Sequence, residues 1–164
     1  MQFEFLKVGW LFLPIVIRLF GSQYPTLEID DNFYIQAQVS LLEGHFCDSN
    51  TGLVMGEAGG NYNGFVIGAN CGSGNYVAFL DSGSVKFETP VGGDTLLHVS
   101  SPTRTLGLEA SKGLYTFYID GKATESFPIE QSYGNQVGLL AWDSGAYGPN
   151  TTIAFDNVTV RDKK

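Results

Sequence analysis

The sequence predicts an all-β domain in which two antiparallel sheets pack against each other as a jelly-roll sandwich. Short segments rich in Val, Ile, Phe and Tyr alternate with clusters of Gly, Asn, Asp and Ser, and helical periodicity is hard to find. Glycine supplies 21 of the 164 residues and aromatic residues 13%, which is typical of a loop-rich β protein. About ten short strands with no intervening helix indicate two packed sheets.

The chain has the length of one domain. Apolar residues make up 43% of it and charged residues 16%, enough to build a hydrophobic core. No linker or internal repeat interrupts the pattern, so we expect a single β-sandwich domain over residues 1–164.

The first element is the apolar run VGWLFLPIVI, residues 8–17. It is too short to cross a bilayer as a helix. We interpret residues 1–32 as an apolar first strand followed by a turn. A retained leader is the alternative, although Glu4 lies near its start and no small-x-small cleavage site follows it.

The same run suggests an association surface. Pro14 is tolerated at a sheet edge but not in a central strand, because proline cannot donate to the ladder. An apolar edge strand of this kind would dock on a neighbouring subunit. Self-association through residues 8–20, in a structural or adhesive cell-surface subunit, is therefore one functional hypothesis.

The next strand shows the clearest alternation. In FYIQAQVSL, residues 33–41, every second residue is apolar and can point to a core. The strands that follow are predicted at 53–57, 64–68, 75–80, 84–88, 104–110, 114–119, 122–127, 137–142 and 152–161. The loop AGGNYN joins the first two of these.

Two turns are predicted from local chemistry. Asp120-Gly121 is a two-residue turn whose positive φ angles match strand twist, so the flanking strands should form a tight hairpin. Asp81-Ser82-Gly83 reads as a similar three-residue turn.

The order of segments over residues 33–161 resembles the concanavalin A-like lectin and glucanase superfamily, in particular its laminin-G-like and 3-keto-disaccharide-hydrolase-like branches. The resemblance rests on YIQAQVSLLEG with TGLVMG, on NGFVIG with NYVAFLDSGSVKFE, on LGLEASKGLYTFYIDGKATESF, and on VGLLAW with IAFDNVTV. The closing Phe155-Asp156-Asn157-Val158 is its most specific motif. The resemblance implies a jelly-roll fold and either carbohydrate binding or glycoside hydrolysis.

The residues give little support for catalysis. Retaining glycosidases need two carboxylates about 5 Å apart, and glucanases of this superfamily carry E-x-D-x-x-E on one strand. Here Glu28-Ile29-Asp30-Asp31-Asn32-Phe33 has the first two acids and lacks the last. The two histidines, His45 and His98, have no nucleophile or zinc-ligand context. We therefore predict no enzyme activity, with a hydrolase using an unrecognised acid pair as the alternative.

Sugar binding needs an aromatic face for the C–H side of a pyranose and amides or carboxylates for its hydroxyls. Such residues occur in AGGNYNG, GSGNY and WDSGAYGPN. The candidate carbohydrate-binding residues are Asn61, Tyr62, Asn63, Asn75, Tyr76, Trp142, Asp143 and Tyr147. Several of these aromatic residues sit at strand ends, where packing against the sheet is the competing interpretation.

Net charge and loop residues limit which other ligands and partners are expected. The net charge of −8 opposes binding to nucleic acid or to an anionic membrane surface. No cofactor is predicted. The resemblance leaves calcium open, with Asp143, Asn150 and Asp156 as weak candidate ligands, although turn and strand hydrogen bonds are the favoured interpretation of these residues.

Two glycosylation sequons are present, Asn150-Thr151-Thr152 and Asn157-Val158-Thr159. Asn150 is the better acceptor if it lies in a loop. Asn157 lies within the predicted closing strand, where a bond to the backbone is expected.

The two cysteines flank a predicted hairpin. Pairing LVMGE with GFVIG around AGGNYN places Cys47 near Gly74 and Cys71 near Asn50, which is close enough for a disulfide. Two unpaired core thiols are the alternative. A disulfide persists only in an oxidising compartment, so the sequence predicts an extracellular or cell-surface protein.

Overall fold

The computed structural model describes residues 6–8, 15–18, 32–44, 46, 49–58, 61–70, 74–81, 84–91, 97, 102–128, 137–143 and 151–162. These residues form twelve strands: β1 (Leu6–Val8), β2 (Ile15–Arg18), β3 (Phe33–Glu43), β4 (Ser49–Ala58), β5 (Asn61–Asn70), β6 (Gly74–Asp81), β7 (Ser84–Val91), β8 (Arg104–Ser111), β9 (Leu114–Ile119), β10 (Lys122–Pro128), β11 (Val137–Asp143) and β12 (Thr151–Asp162). In this part of the chain no helix is long and apolar enough to span a membrane.

The strands form two six-stranded sheets. Sheet A has the order β1-β12-β3-β8-β9-β10, and sheet B has the order β2-β11-β4-β5-β6-β7. Neighbouring strands pair in the antiparallel sense in both sheets. The predicted all-β class with two antiparallel sheets is confirmed.

The amino-terminal apolar run differs from its prediction. We expected one first strand, whereas the structure has two short strands at the edges of different sheets: β1 pairs with β12 and β2 pairs with β11. Pro14 immediately precedes β2, consistent with the inability of proline to donate within a ladder. Association of residues 8–20 with a second copy stays a prediction.

The main core lies between the two sheets. On β3 the burial alternates as predicted: Phe33, Ile35, Ala37, Val39 and Leu41 face the core, and the residues between them are partly exposed. The core is completed by apolar side chains from β4 to β6, from β8, β9, β11 and β12, and by Phe46 and Leu97.

An aromatic cluster connects the two sheets on the side of the core nearest β7 and β10. The ring of Phe65 on β5 lies 5.2 Å from that of Phe117 on β9, 5.1 Å from that of Phe79 on β6 and 5.4 Å from that of Phe127 on β10. Phe79 stacks in turn on Phe127 at 5.2 Å. The four rings join two strands of each sheet, so they fix how the sheets face each other.

The hairpins of sheet A follow turn chemistry. Ile119 pairs with Lys122, and Asp120 and Gly121 have φ angles of 51° and 77°, which confirms the predicted two-residue turn. The Asp120 carboxylate also accepts hydrogen bonds from the Thr105 N–H at 2.9 Å and from Arg104 Nη1 at 2.8 Å, so the turn is tied to β8. Lys112 and Gly113 form a second turn with positive φ angles that the sequence analysis missed.

The β4–β5 hairpin is longer than predicted. Strands at 53–57 and 64–68 joined by a six-residue loop were expected, but the ladder continues to a pair between Ala58 and Asn61. Asn, Tyr and Asn at 61–63 read as loop residues in the sequence, yet they extend β5. The predicted three-residue turn at 81–83 is also too long, because Asp81 pairs with Ser84.

We predict that Phe65→Ala lowers the free energy of unfolding by about 3–5 kcal/mol, because it leaves a cavity among three other rings. Phe65 is 1% exposed. Val85→Ala, on an edge strand where the side chain is 51% exposed, is the control and should change stability by less than about 0.5 kcal/mol. Urea denaturation measures both, and equal effects would contradict the central role of the cluster.

Candidate functional site

Sheet B is apolar on both of its faces. Side chains that point away from sheet A form a second buried cluster, made of Val54, Tyr62, Val66, Tyr76, Ala78, Leu80 and Leu140. Each of them is at most 7% exposed. β5 and β6 therefore read as continuous apolar runs, as strands do when both faces are covered.

One end of this outer face carries a row of residues that are in register across five strands. Trp142 on β11 pairs with Asn50 on β4, Asn50 with Gly68 on β5, Gly68 with Tyr76 on β6, and Tyr76 with Pro90 on β7. We call these five residues the aromatic row. Two of the aromatic residues that the sequence analysis selected, Tyr76 and Trp142, thus belong to one row.

The centre of the aromatic row is held by a hydrogen bond across β5. The Tyr76 hydroxyl donates to Asn50 Oδ1 at 2.6 Å, so the tyrosine spans the intervening strand. This bond passes over Gly68, where an added Cβ would overlap both Asn50 Oδ1 and the Tyr76 ring. Glycine at this position is required for the close approach of the two side chains. Asn50 itself is half-buried, whereas Tyr76 is 7% exposed.

The remaining predicted carbohydrate-binding residues divide between the two ends of sheet B. Asn75 lies beside the aromatic row, whereas Asn61, Tyr62 and Asn63 lie at the β4–β5 turn. Tyr62 is six residues from Gly68 along β5, or about 20 Å. One small sugar therefore cannot contact both groups. Asn61 is exposed, but Tyr62, Asn63 and Asn75 are 6%, 2% and 8% exposed.

Burial has an electrostatic effect on Tyr62. It raises the pKa of the phenol above its ordinary value of 10.0, because the phenolate would lose hydration. Tyr62 stays a neutral packing residue at physiological pH. A ligand contact from its ring, as the sequence analysis predicted, would require the groups that cover it to move.

Several predicted site residues lie outside the described part of the chain. Cys47, Cys71, Tyr147 and Asn150 do so entirely, and Trp142 and Asp143 are described only by their backbone positions. The disulfide and the ligand role of Tyr147 therefore stay predictions.

The calcium candidates are resolved only at Asp156. This residue is exposed, and its Oδ1 accepts a hydrogen bond from the Asn157 N–H at 2.7 Å. Within the residues described, no three His, Cys, Asp or Glu side chains approach closely enough to share a metal ion. Calcium binding stays a prediction.

The outer face of sheet A has a different character, because it is polar and partly exposed. Tyr34 and Tyr118 meet edge to face with ring centroids 6.1 Å apart, and the Tyr118 hydroxyl donates to Glu109 Oε2 at 3.1 Å. Asn157 lies on this face at a bulge of β12, and its side chain bonds to Gln38 Oε1 at 2.6 Å. We expected the Asn157 side chain to bond to the backbone, whereas in the structure it bonds to the Gln38 side chain.

Asn50 is the functional candidate that the sequence analysis missed. It lies within Ser-Asn-Thr-Gly, which reads as a loop, and the predicted strand began only at Leu53. The informative signal was the register: extending β4 by four residues brings Asn50 opposite Gly68. The correct turn length would have been needed to find it.

Comparison with known proteins identifies the fold. Neither a protein-family model nor a curated protein sequence matches the chain. Among solved structures, the carbohydrate recognition domain of Emp47p matches with a TM-score of 0.61 and 11% identity, over 98% of this chain and 77% of that one. The carbohydrate binding module CBM66 from Bacillus subtilis gives 0.53 and 18%, over 80% and 75%.

An enzyme shares the same architecture. The beta-glucanase of Bacillus licheniformis matches with a TM-score of 0.57 and 10% identity, over 84% of this chain and 69% of that one. The fold is the concanavalin A-like jelly roll, as the resemblance implied. Two proteins named for carbohydrate binding and a beta-glucanase share this fold.

We predict a stability change at alkaline pH that depends on Tyr62. Because its pKa is higher in the folded than in the unfolded chain, its contribution is complete below pH 10 and is lost as the pH rises through the folded-state value. Tyr62→Phe should therefore lose less stability than the wild type when the pH is raised above 10. Urea denaturation at a series of pH values measures the difference, and identical slopes would contradict it.

Proposed function

We propose that this protein is a non-catalytic, extracellular carbohydrate-binding module, and that the aromatic row contributes its ligand contacts. The observation that carries the proposal is the Tyr76–Asn50 hydrogen bond across Gly68, in register with Trp142. The names of two structural neighbours, a carbohydrate recognition domain and a carbohydrate binding module, support the ligand class.

The chemistry of the row assigns different roles to its members. Because Asn50 Oδ1 accepts the Tyr76 hydroxyl, the hydrogen bond orients the Asn50 amide, and its Nδ2 group is the proposed donor to sugar oxygens. The indole of Trp142 is the proposed aromatic surface for the C–H side of a pyranose. Tyr76 is buried and acts as a positioning residue for Asn50. Asp143 and Tyr147 follow Trp142 in sequence and stay predicted ligand contacts.

Charge limits the sugars to be tested. A net charge of −8 repels uronic acids and sulfated chains, so neutral glycans are the expected ligands. No calcium requirement is part of the proposal.

We propose that the protein is not catalytic because the carboxylates of Glu88 and Glu109 lie on different sheets. A retaining glycosidase places two carboxylates about 5 Å apart. Glu88 lies on β7 of sheet B, opposite Ala78, whereas Glu109 lies on β8 of sheet A and accepts a bond from Tyr118. The beta-glucanase neighbour makes hydrolysis the competing function. Release of reducing ends from any glycan that binds would favour that function over ours.

We predict that Tyr76→Phe weakens glycan binding roughly fivefold, since the loss of one hydrogen bond of about 1 kcal/mol frees the Asn50 amide to rotate. Asn50→Ala should abolish measurable binding. Tyr118→Phe is the matched control, because it removes a tyrosine hydroxyl from the opposite sheet and should leave affinity unchanged. Binding is measured by calorimetry against the best neutral glycan from an array.

Two outcomes would contradict the proposal. Failure of the wild type to bind any glycan on the array would remove the function. Equal losses for Tyr76→Phe and Tyr118→Phe would remove the aromatic row as the site.

The proposed location outside the cell rests on a Cys47–Cys71 disulfide. Ser49 pairs with Ala69 in the β4–β5 ladder, and each cysteine lies two residues beyond that pair along the chain. This pairing register supports the disulfide more directly than the register that we expected from the sequence. Each cysteine is separated by the same number of residues from the Ser49–Ala69 pair. In the chain-entropy model, closing a loop of roughly 25 residues stabilises the fold by roughly 3–4 kcal/mol.

We predict that the denatured, unreduced protein has no titratable thiol and gains two on reduction. Cys47→Ser with Cys71→Ser should lower the midpoint of urea unfolding, and reductant should have no further effect on that variant. Two thiols in the unreduced protein would contradict both the disulfide and the argument for the location.

A further inference from the structure

We propose that Asn157 carries an N-linked glycan, which projects from the outer face of sheet A on the side of the sandwich opposite the aromatic row. The inference rests on the proposed location outside the cell, since the modification occurs during export. It concerns a surface that the proposed ligand site does not use.

The backbone of β12 presents Asn157 outward. The pairing with β3 shifts between Asp156 and Thr159, so one extra residue is accommodated in a bulge. Phe155 is buried, whereas Asp156 and Asn157 are both exposed. Two consecutive side chains are therefore exposed to solvent at this position, so a bulky group on Asn157 does not displace the core.

The bulge also accounts for the conformation of Asn157. Its φ angle is 51°, in the left-handed region where asparagine is among the best tolerated residues after glycine. This requirement alone would be met by glycine or aspartate. The left-handed conformation does not require a hydroxyl two residues later, yet Thr159 completes the glycosylation sequon. Thr159 Oγ1 also donates a hydrogen bond to the Asn157 carbonyl at 3.3 Å.

The side-chain contact of Asn157 is compatible with modification. Asn157 Nδ2 donates to Gln38 Oε1 at 2.6 Å, which uses one of its two protons. In transfer from a lipid-linked oligosaccharide pyrophosphate, a bond forms between Nδ2 and the sugar C1, the C1–O bond to pyrophosphate breaks, and the amide loses one proton. The second proton remains and can still donate to Gln38, so the glycosylated side chain keeps its anchor.

The position of the glycan has a consequence for the surface. Gln38 belongs to the outer face of sheet A, which also carries Tyr34, Glu109 and Tyr118. A glycan at Asn157 covers part of this polar face and prevents it from packing on a second copy. The aromatic row lies on the outer face of sheet B, so the modification does not reach the proposed ligand site.

The test is expression of the full chain behind a secretion leader in a eukaryotic host. A tag with its own sequon, fused after residue 164, reports that the chain reached the transferase. Asn150→Gln removes the other sequon of the chain. Release of glycans by an amidase converts each modified asparagine to aspartate, and peptide mass spectrometry then identifies the positions. Conversion at Asn157 is the expected result.

Matched variants separate the sequon from the bulge. Thr159→Ser keeps the acceptor sequence and should keep the glycan, whereas Thr159→Val should lose it. Asn157→Gly keeps the left-handed residue without an acceptor, so a folded and unmodified product is expected from it. Circular dichroism of each purified variant checks that the fold is retained.

The contradicting result is a glycosylated tag together with an unmodified Asn157 in folded protein. This result would not affect the proposed ligand site, because glycan binding is measured on protein purified from bacteria or after amidase treatment. Conversely, a modified Asn157 in a protein that binds no glycan would support the modification and overturn only the proposed function. Removal of the Asn157 glycan should leave ligand affinity unchanged.

Discussion

The contact between the two sheets at Phe65 is the constraint on which the rest of the structure depends. Phe65 belongs to sheet B, and it stacks on Phe117 of sheet A with an angle of 17° between the ring planes. Because each sheet is built from long antiparallel ladders, fixing β5 against β9 constrains the positions of the other strands in both sheets. The inward sides of β3, β8 and β9 then fill the space around the rings. Packing of this density tolerates little change in volume.

The outer faces of the two sheets, which point away from the shared core, differ in character. Sheet A shows the alternation of an antiparallel sheet with one side in solvent, and tyrosine, glutamine and threonine occupy its outer positions. The inner strands of sheet B are buried on both sides, with Val66 at 0% and Ala78 at 2% exposure on the outer face. Polar groups on that face are therefore few and strongly constrained. The Tyr76–Asn50 bond stands out because its partners are fixed by the strand pairing rather than by a loop.

The same difference explains how much was predictable from sequence. Alternation predicted β3, β8 and β9 to within a residue or two, and positive φ preferences predicted the turn at Asp120 and Gly121. The runs GFVIGAN and NYVAFL gave no indication of which side faced the core, since both sides are apolar. Turn lengths were overestimated at the β4–β5 and β6–β7 hairpins, because Asn and Asp at strand ends resemble loop residues. Each error shifted the register, and Asn50 was lost from the candidate site for that reason.

The pairing of β3 with β12 has a consequence for how the chain acquires its structure. These strands are neighbours in sheet A, although Val39 and Phe155, which lie opposite each other, are separated by more than a hundred residues along the chain. Loop closure over such a distance is entropically costly, so folding should be slow and should begin in the local hairpins of sheet B. During synthesis, the edge of β3 that pairs with β12 stays unpaired until the final strand becomes available. A chain in that interval presents this edge to other chains, which can pair with it.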